Sequence, residues 1–379
     1  MKLEVALKAI IVGGGIGGLA SALALRDRGW QVELLEQASE FSEVGAGLSL
    51  WPNGMRALQA LGVDEAVRDR AVLAGQTSIR DASGRQLSGT DTAQLQARYG
   101  PMAIIHRAEL VAVLRAALPD EALHLDVTVT SAAADGTVTH SAGESVGDLV
   151  VGADGIRSVV RSSAWPETGP PRYVGYAAWR MVTPPVPTDG LSESWGAGRR
   201  FGYAPLVDGR VYCFAVANSP EGAPSGGLAA LRASFGDWHD PIPELLAAAD
   251  PEAVLHNDLY ELPALKSYTT GRLALLGDAA HAMTPDMGQG ACQALEDAVV
   301  LAKSLGGSLG GSLGGERGLE EYDHLRRRRT QWIARRAHRI GAAAQWQSPA
   351  AVFLRNNLLR SLPRSSFARS LAPVLDWEP

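Results

Sequence analysis

The sequence predicts an α/β fold: a Rossmann-like domain interrupted by an inserted antiparallel sheet and completed by a C-terminal helical segment. Three observations lead there. An apolar run, Lys8 to Val12, breaks into Gly13-Gly14-Gly15-Ile16-Gly17-Gly18; an Ala- and Leu-rich helical stretch follows to Arg28, and a second apolar run, Gln31 to Leu35, ends in Glu36. That is one complete βαβ unit. From about Arg172 the texture changes to alternating strands with large side chains, with Asp208-Gly209 turning between two of them. At Arg272 to Leu276 a buried-strand pattern returns, followed by helices over Gly288 to Ser304 and Leu319 to Ala344. The implied segments are 1–170 and 266–345 for the Rossmann-like domain, 171–265 for the sheet and 346–379 for the C-terminal segment.

The smaller elements follow from local pattern. The stretch from Gly45 to Gly54 reads as a loop leading into a helix near Met55 to Leu61, and His106 to Arg115 opens an amphipathic helix. His124 to Thr130 and Thr137 to His140 flank Asp135-Gly136, a hairpin signal. Asp148 to Gly152 is an apolar strand running into Ala153-Asp154-Gly155. The duplicated small-residue tract from Gly306 to Gly315 reads as a flexible surface loop. On the long helix, Glu320, Glu321 and Asp323 precede Arg326 to Arg329, which predicts a solvated, salt-bridged face. From Phe353 to Leu375 apolar groups alternate with arginines, a pattern expected to pack over the Rossmann-like lobe.

Composition narrows the function classes. The chain has 379 residues and a net charge of −6, which argues against nucleic acid as the main partner. No run reaches the 18 or so apolar residues of a membrane span, so stable membrane insertion is not expected and a cytoplasmic location is. Cys213 and Cys292 fit no metal-ligand spacing and read as free thiols. A monomer or homodimer acting on a small molecule fits this balance.

Two motifs carry chemistry. In Gly13-x-Gly15-x-x-Gly18 the first glycine permits the tight turn, the second lets backbone approach a pyrophosphate, and the third lets helix and strand pack closely. Glu36 sits where an acid accepts ribose hydroxyls. This motif alone does not separate FAD from NAD. In Gly271 to Gly290, a buried strand ends at Gly277-Asp278, and Gly288 and Gly290 open a helix whose N-terminal amides would face a ring system that gathers negative charge.

With a third element, Ala153-Asp154-Gly155-Ile-Arg-Ser-Val-Val-Arg161, these segments resemble the FAD-dependent aromatic hydroxylases, the group A flavoprotein monooxygenases with a p-hydroxybenzoate hydroxylase-like fold. The resemblance runs from Gly13 to about Trp332. It implies that Gly13, Gly15, Gly18, Glu36, Arg107, Asp154, Gly155, Asp278, Pro285, Gly288 and Gly290 hold FAD. It also implies that NADPH or NADH serves as reductant, that O2 forms a C4a-hydroperoxyflavin, and that one oxygen atom enters a small aromatic or heteroaromatic substrate. A second glycine fingerprint for the nicotinamide donor is absent, as in this family.

Trp51-Pro52-Asn53-Gly54, Arg172 to Trp179 and Thr284 to Gly290 resemble the bacterial flavin-dependent urate hydroxylases and the salicylate-type enzymes. By that resemblance Arg200, Tyr212 and Asp286 match an arginine, a tyrosine and an aspartate around the substrate. Arg180 after Trp179 and the doubled Arg199-Arg200 depart from the urate group and suit an anionic aromatic substrate. Arg180 and Arg200 also fit plain surface arginines, and Tyr212 a core tyrosine. His281 fits either a base or a structural support of the turn. An epoxidase, a urate-type hydroxylase on the same fold, or a non-catalytic flavin-binding protein are the competing readings; the Trp-x-Trp-x-Ile-Pro motif of halogenases does not occur.

Overall fold

A computed structural model describes residues 6–41, 46–75, 77–90, 92–306 and 312–379. In chain order the main elements are β1 (Lys8–Val12), α1 (Ile16–Asp27), β2 (Gln31–Leu35), β3 (Leu149–Gly152), α2 (Val159–Ala164), β4 (Arg172–Thr183), β5 (Leu191–Trp195), β6 (Arg199–Pro205) and β7 (Val211–Asn218). They continue with β8 (Leu255–Glu261), β9 (Leu273–Leu275), α3 (Gly290–Gly306), α4 (Ser312–Ala344), α5 (Pro349–Ser361) and α6 (Arg364–Leu375).

A six-stranded sheet runs Thr269–Thr270, β9, β3, β1, β2, Leu123–His124. Its central pairs, β1 with β2, β1 with β3 and β3 with β9, are parallel. Parallel strands bring their carboxyl ends to one edge. The glycine turn after β1, Ala153-Asp154-Gly155 after β3 and Gly277-Asp278 after β9 therefore meet, although they lie far apart in the sequence. Continuous apolar stretches in β1, β3 and β9 are buried throughout, as a sheet covered on both faces requires.

The second sheet has seven strands in the order β8, β4, β7, β6, β5, Thr77–Asp81, Gln86–Thr90. Two of its strands thus come from the first segment of the chain, and Thr77–Asp81 joins β5 in parallel. Strand alternation gives it two faces. Trp179, Met181, Phe201 and Cys213 pack on the helices Gly227–Phe235 and Ile242–Ala248 through Leu231, Phe235 and Leu245. Tyr176 and Arg180 of β4, Arg200 of β6 and Tyr212 and Phe214 of β7 occupy the opposite face, with Arg180 directly across from Phe214.

Several local expectations change. His124 to Thr130 is not one strand: Leu123–His124 joins the parallel sheet beside β2, Asp126 turns the chain at φ 58°, and only Val129–Ala132 pairs with Thr137–His140. The first pairing satisfies the exposed edge of β2, which local alternation cannot anticipate. The expected loop before Trp51 is a strand, Gly47–Leu50, antiparallel to Ala103–His106; Gly45 lies outside the described residues. In the small-residue tract, Gly306 ends α3 and α4 begins at Ser312, while residues 307–311 lie outside the described residues. Cys213 and Cys292 are buried and free.

The largest correction concerns α4. Arg327 does pair with Asp323 one turn away, but Arg326 is fully buried, not solvated. Its guanidinium binds Glu296 and Asp297 of α3, with Nε 2.6 Å from Asp297 Oδ1 and Nη2 2.7 Å from Gln293 Oε1. Arg329 donates to Glu296 as well, 2.7 Å from Nε to Oε2. Two buried acids on α3 outcompete the exposed acids of α4, because an unpaired buried carboxylate costs several kcal/mol. Among the described residues no helix is long and apolar enough to cross a membrane.

Replacing Arg326 by Met should destabilise the fold by about 3–5 kcal/mol, since it leaves buried Asp297 without its arginine and Glu296 with Arg329 alone. Urea unfolding followed by far-UV circular dichroism measures it, and a loss under about 1 kcal/mol would contradict the assigned network.

Candidate active site

The edge where β1, β3 and β9 end is built to receive an anionic ligand. Gly13 has φ +102°, and a Cβ there would lie 2.6 Å from Ala153 O, so β1 and β3 approach as only glycine allows. Around Gly15, which caps α1 without any side-chain bond, a Cβ would meet nothing within 4 Å. Free α1 amides at that open end would attract an anionic group through hydrogen bonds and the helix dipole. Gly290 at the start of α3 faces open space too, and no acid occupies the first turn of either helix.

Side chains complete the cradle unevenly. Glu36 Oε2 accepts the Gly14 amide at 2.5 Å and Oε1 the Ala38 amide at 2.8 Å, which fixes its carboxylate beside the turn. Asp278 is exposed where β9 ends, yet desolvation by the surrounding protein raises its carboxyl, opposed by His281 and Arg107. Arg107 opens the helix Arg107–Ala116, with its amide on Ala46 O. Asp154 is turned inward: it binds Ser158 Oγ at 2.5 Å and the amides of Val159 and Val160, capping α2. Gly155 is open to the cleft.

Arg161, at the end of the Asp-Gly motif, has a role that spacing does not reveal. It is buried and donates to Ala279 O at 2.9 Å and Ile156 O at 2.5 Å, tying the Asp-Gly element to the segment after β9. Beneath that segment, Asp297 takes the Gly277 amide at 2.9 Å and sits 2.6 Å from His281 Nε2. His281 is therefore buried with that nitrogen committed. Asn53 donates to Gln289 at 2.9 Å and to Glu296 at 2.7 Å, joining the Trp51–Gly54 motif to α3.

The Pro285–Met287 turn, closed by Gly288 at φ +58°, brings the two sheets together. Asp286 of this turn has a side chain with no exposure. Its Oδ1 accepts Arg200 Nη2 at 2.6 Å and its Oδ2 accepts the Tyr176 hydroxyl at 2.8 Å. Arg200 also donates to Glu193 at 3.0 Å and through Nε to Gln345 at 3.0 Å. Burial alone would depress the Arg200 guanidinium, but Asp286 and Glu193 outweigh it and raise it. Burial first, and then the Asp286 charge, push the Tyr176 phenol far up, so it remains a neutral donor. At Gly341 of α4 a Cβ would overlap both Asp286 Oδ2 and the Tyr176 oxygen.

Of the predicted substrate-side residues, the structure joins Arg200 to Asp286 and leaves Tyr212 apart. Tyr212 is buried among Met102, Ile104, Ala204 and Leu206, tilted 34° against Phe214 with centroids 6.0 Å apart. Burial raises its phenol, with Arg180 opposing. Arg180 is half-buried, donates to neutral Asn257 at 3.2 Å and lies beside the Tyr212 hydroxyl. An open cleft of about 470 Å³ abuts Tyr176 and Gln345 at the end of α4, beside Asn218 and Gln347; neither Arg180 nor Tyr212 lines it. Tyr176, Glu193, Gln345 and Gly341 were not singled out in the sequence; Tyr176 at least lies inside the quoted Arg172–Trp179 segment.

A family model described as an FAD binding domain matches residues 6–183 and 262–337, which hold the parallel sheet together with β4 and two edge strands of the second sheet. The chain belongs to the FAD-dependent aromatic hydroxylases. This flavoprotein is 39% identical over 371 residues to the aurachin C monooxygenase/isomerase of Stigmatella aurantiaca, covering 95% of each chain. It is 37% identical to the 3-amino-4-hydroxybenzoate 2-monooxygenase of Streptomyces cremeus, over 88% of this chain and 86% of that one. Among solved structures, Klebsiella pneumoniae HpxO complexed with FAD and uric acid superimposes with a TM-score of 0.92 over the full length of both chains, at 28% identity. The enzyme is a group A flavoprotein monooxygenase with FAD as cofactor, and its class acts on aromatic or heteroaromatic substrates.

Replacing Gly341 by Ala should force Asp286 and Tyr176 apart and lower substrate-stimulated turnover at least about tenfold while FAD stays bound. Turnover kinetics alongside flavin absorbance test this, and unchanged turnover would remove α4 from the site. Asp297 gives a pH prediction. Burial would raise its carboxyl, but His281 and Arg326 prevail and hold it at about 2, below the ordinary 3.8. Ionised Asp297 thus stabilises the fold at pH above that ordinary value, and the contribution fades as pH falls towards 2. Asp297→Asn should be less stable at neutral pH and show a flatter acid limb in thermal melts across that window.

Proposed function

We propose that this enzyme hydroxylates a small anionic aromatic or heteroaromatic ring, using NADH or NADPH as electron donor and O2 as the source of the inserted atom. Arg180 is the observation that carries this reading. Arg200 already has two carboxylates, Asp286 and Glu193, whereas Arg180 has only neutral neighbours among the described residues, the Asn257 amide and the Tyr212 hydroxyl. It stands on the same face beside Phe214 and Tyr212, so a ring lying on these aromatics would bring its acidic group to an uncompensated guanidinium. Two relatives support an acidic ring, one named for a hydroxybenzoate and one bound to uric acid.

In this reading Gly13, Gly15, Gly18, Glu36, Arg107, Asp154, Gly155, Asp278, Pro285, Gly288 and Gly290 hold FAD, with Asp154 acting through the α2 cap. When bound, FAD supplies the redox chemistry, electron transfer from NAD(P)H and activation of O2. The chain's own residues bind, orient and exclude water. Tyr212, kept neutral by burial, donates or accepts a hydrogen bond at the substrate ring, and the apolar cluster around it keeps water from the reacting carbon. Asp286 has both oxygens occupied, so it positions the flavin-side turn and does not act as a free base. Urate-type hydroxylation is the second reading, favoured by the Arg200–Asp286 contact across the site.

A panel of hydroxybenzoates, hydroxylated heterocycles and urate, assayed for stimulated NAD(P)H oxidation and for product mass, tests the reaction. A product heavier by one oxygen is expected; oxidation that yields only H2O2 with every ring would overturn it. Arg180→Gln should raise KM for an acidic ring about 10- to 100-fold, the loss of one charge-assisted hydrogen bond, with FAD content unchanged. An unaltered KM would exclude Arg180 as the anion anchor.

A further inference from the structure

The last helices carry a surface that the hydroxylase reaction does not use. Between His324 and Leu375 the sequence holds eleven arginines and no Asp, Glu or Lys, in a chain of net charge −6. Several of these arginines are consumed internally, but Arg328, Arg335 and Arg339 are exposed and form no ion pair with any described residue. They share one stripe of α4 with exposed Leu325 and half-buried Trp332, at helical spacings of three and four. Arg336 stacks on that tryptophan at 5.5 Å. Trp346, just beyond the helix, is exposed as well.

α5 follows within a few residues and is turned inside out. Arg355 is buried, bonded to Ala344 O at 2.7 Å and Gly196 O at 3.0 Å and stacked over Trp195. Arg360 reaches back to Asp81 at 2.7 Å. With its arginines pinned to the protein, the helix must present its apolar side to water: Phe353 is 72% exposed, Leu354 63%, Leu358 58% and, at its end, Leu362 48%. An outward row of this kind, on a helix that follows directly after one with an arginine and tryptophan stripe, is the composition of a membrane-interface surface.

We propose that α5 and the outer stripe of α4 dock on an anionic phospholipid surface, with Phe353, Leu354 and Leu358 entering the headgroup boundary and Arg328, Arg335 and Arg339 meeting lipid phosphates. A second copy of this chain is a poorer occupant, because a twofold contact sets a patch against itself and would face these arginines with their own copies. Nucleic acid would satisfy the arginines and leave the leucines in water.

The full-length, FAD-loaded protein should sediment with vesicles of mixed phosphatidylglycerol and phosphatidylcholine, not with phosphatidylcholine alone, and binding should fall with added salt. Arg335→Gln with Arg339→Gln should weaken binding about tenfold or more, and Phe353→Ser with Leu354→Ser and Leu358→Ser should abolish it, both with unchanged flavin content. Equal binding to the two vesicle types, or binding that neither variant alters, would overturn the proposal. So would a dimer in light scattering that the apolar variant dissociates, or an oligonucleotide that displaces the protein from vesicles. If the apolar variant loses its flavin, the vesicle composition and salt dependence of the unaltered protein still decide the matter.

Discussion

A single carboxylate, that of Asp286, holds the two sheets of this enzyme in one geometry. One of its oxygens takes Arg200 from the seven-stranded sheet, the other takes Tyr176 from the same sheet, and Gly341 of α4 closes against both. Burying such an ion pair contributes little net stability, because desolvation offsets most of the Coulombic gain. What it supplies is direction. The Pro285–Gly290 turn is set relative to Arg180 and Tyr212 by charged hydrogen bonds that tolerate small errors poorly.

A second buried network stands behind the first. Glu296 and Asp297 of α3 are neutralised by Arg326 and Arg329 of α4, and the same acids reach Gly277, His281 and Asn53. The cofactor edge and the Trp51–Gly54 motif therefore rest on one polar cluster, whose members are satisfied largely by each other. α4 serves both networks, Arg326 and Arg329 in one and Gly341 next to the other. That explains why a helix with so many arginines is so deeply engaged: its charge is needed inside.

Much of the cofactor side was legible locally. The glycine turn, Glu36, Asp278 and the Gly288–Gly290 helix start occur in short runs whose chemistry depends on neighbours a few residues away. Arg327 with Asp323 is legible for the same reason, as an i,i+4 pair. The substrate side was legible only as a set of candidates. Arg200 could be picked out, but its partners lie at Glu193, Asp286 and Gln345, up to 145 positions away. No periodicity announces Gly341, because its importance is the absence of a side chain where β4 and the Pro285–Met287 turn converge.

By itself the sequence determined the βαβ unit, the order of strands and helices along the chain, and the conformation of the glycine turn at the start of α1, since backbone geometry and helix termini are local properties. Tertiary structure decided which charges are inside. It buried Arg326 and left Arg328 in water, occupied Arg200 and left Arg180 uncompensated, and turned the leucines of α5 outward by pinning its arginines. The physical reason is desolvation: a charge's worth depends on what the fold packs around it, and sequence spacing does not contain that information.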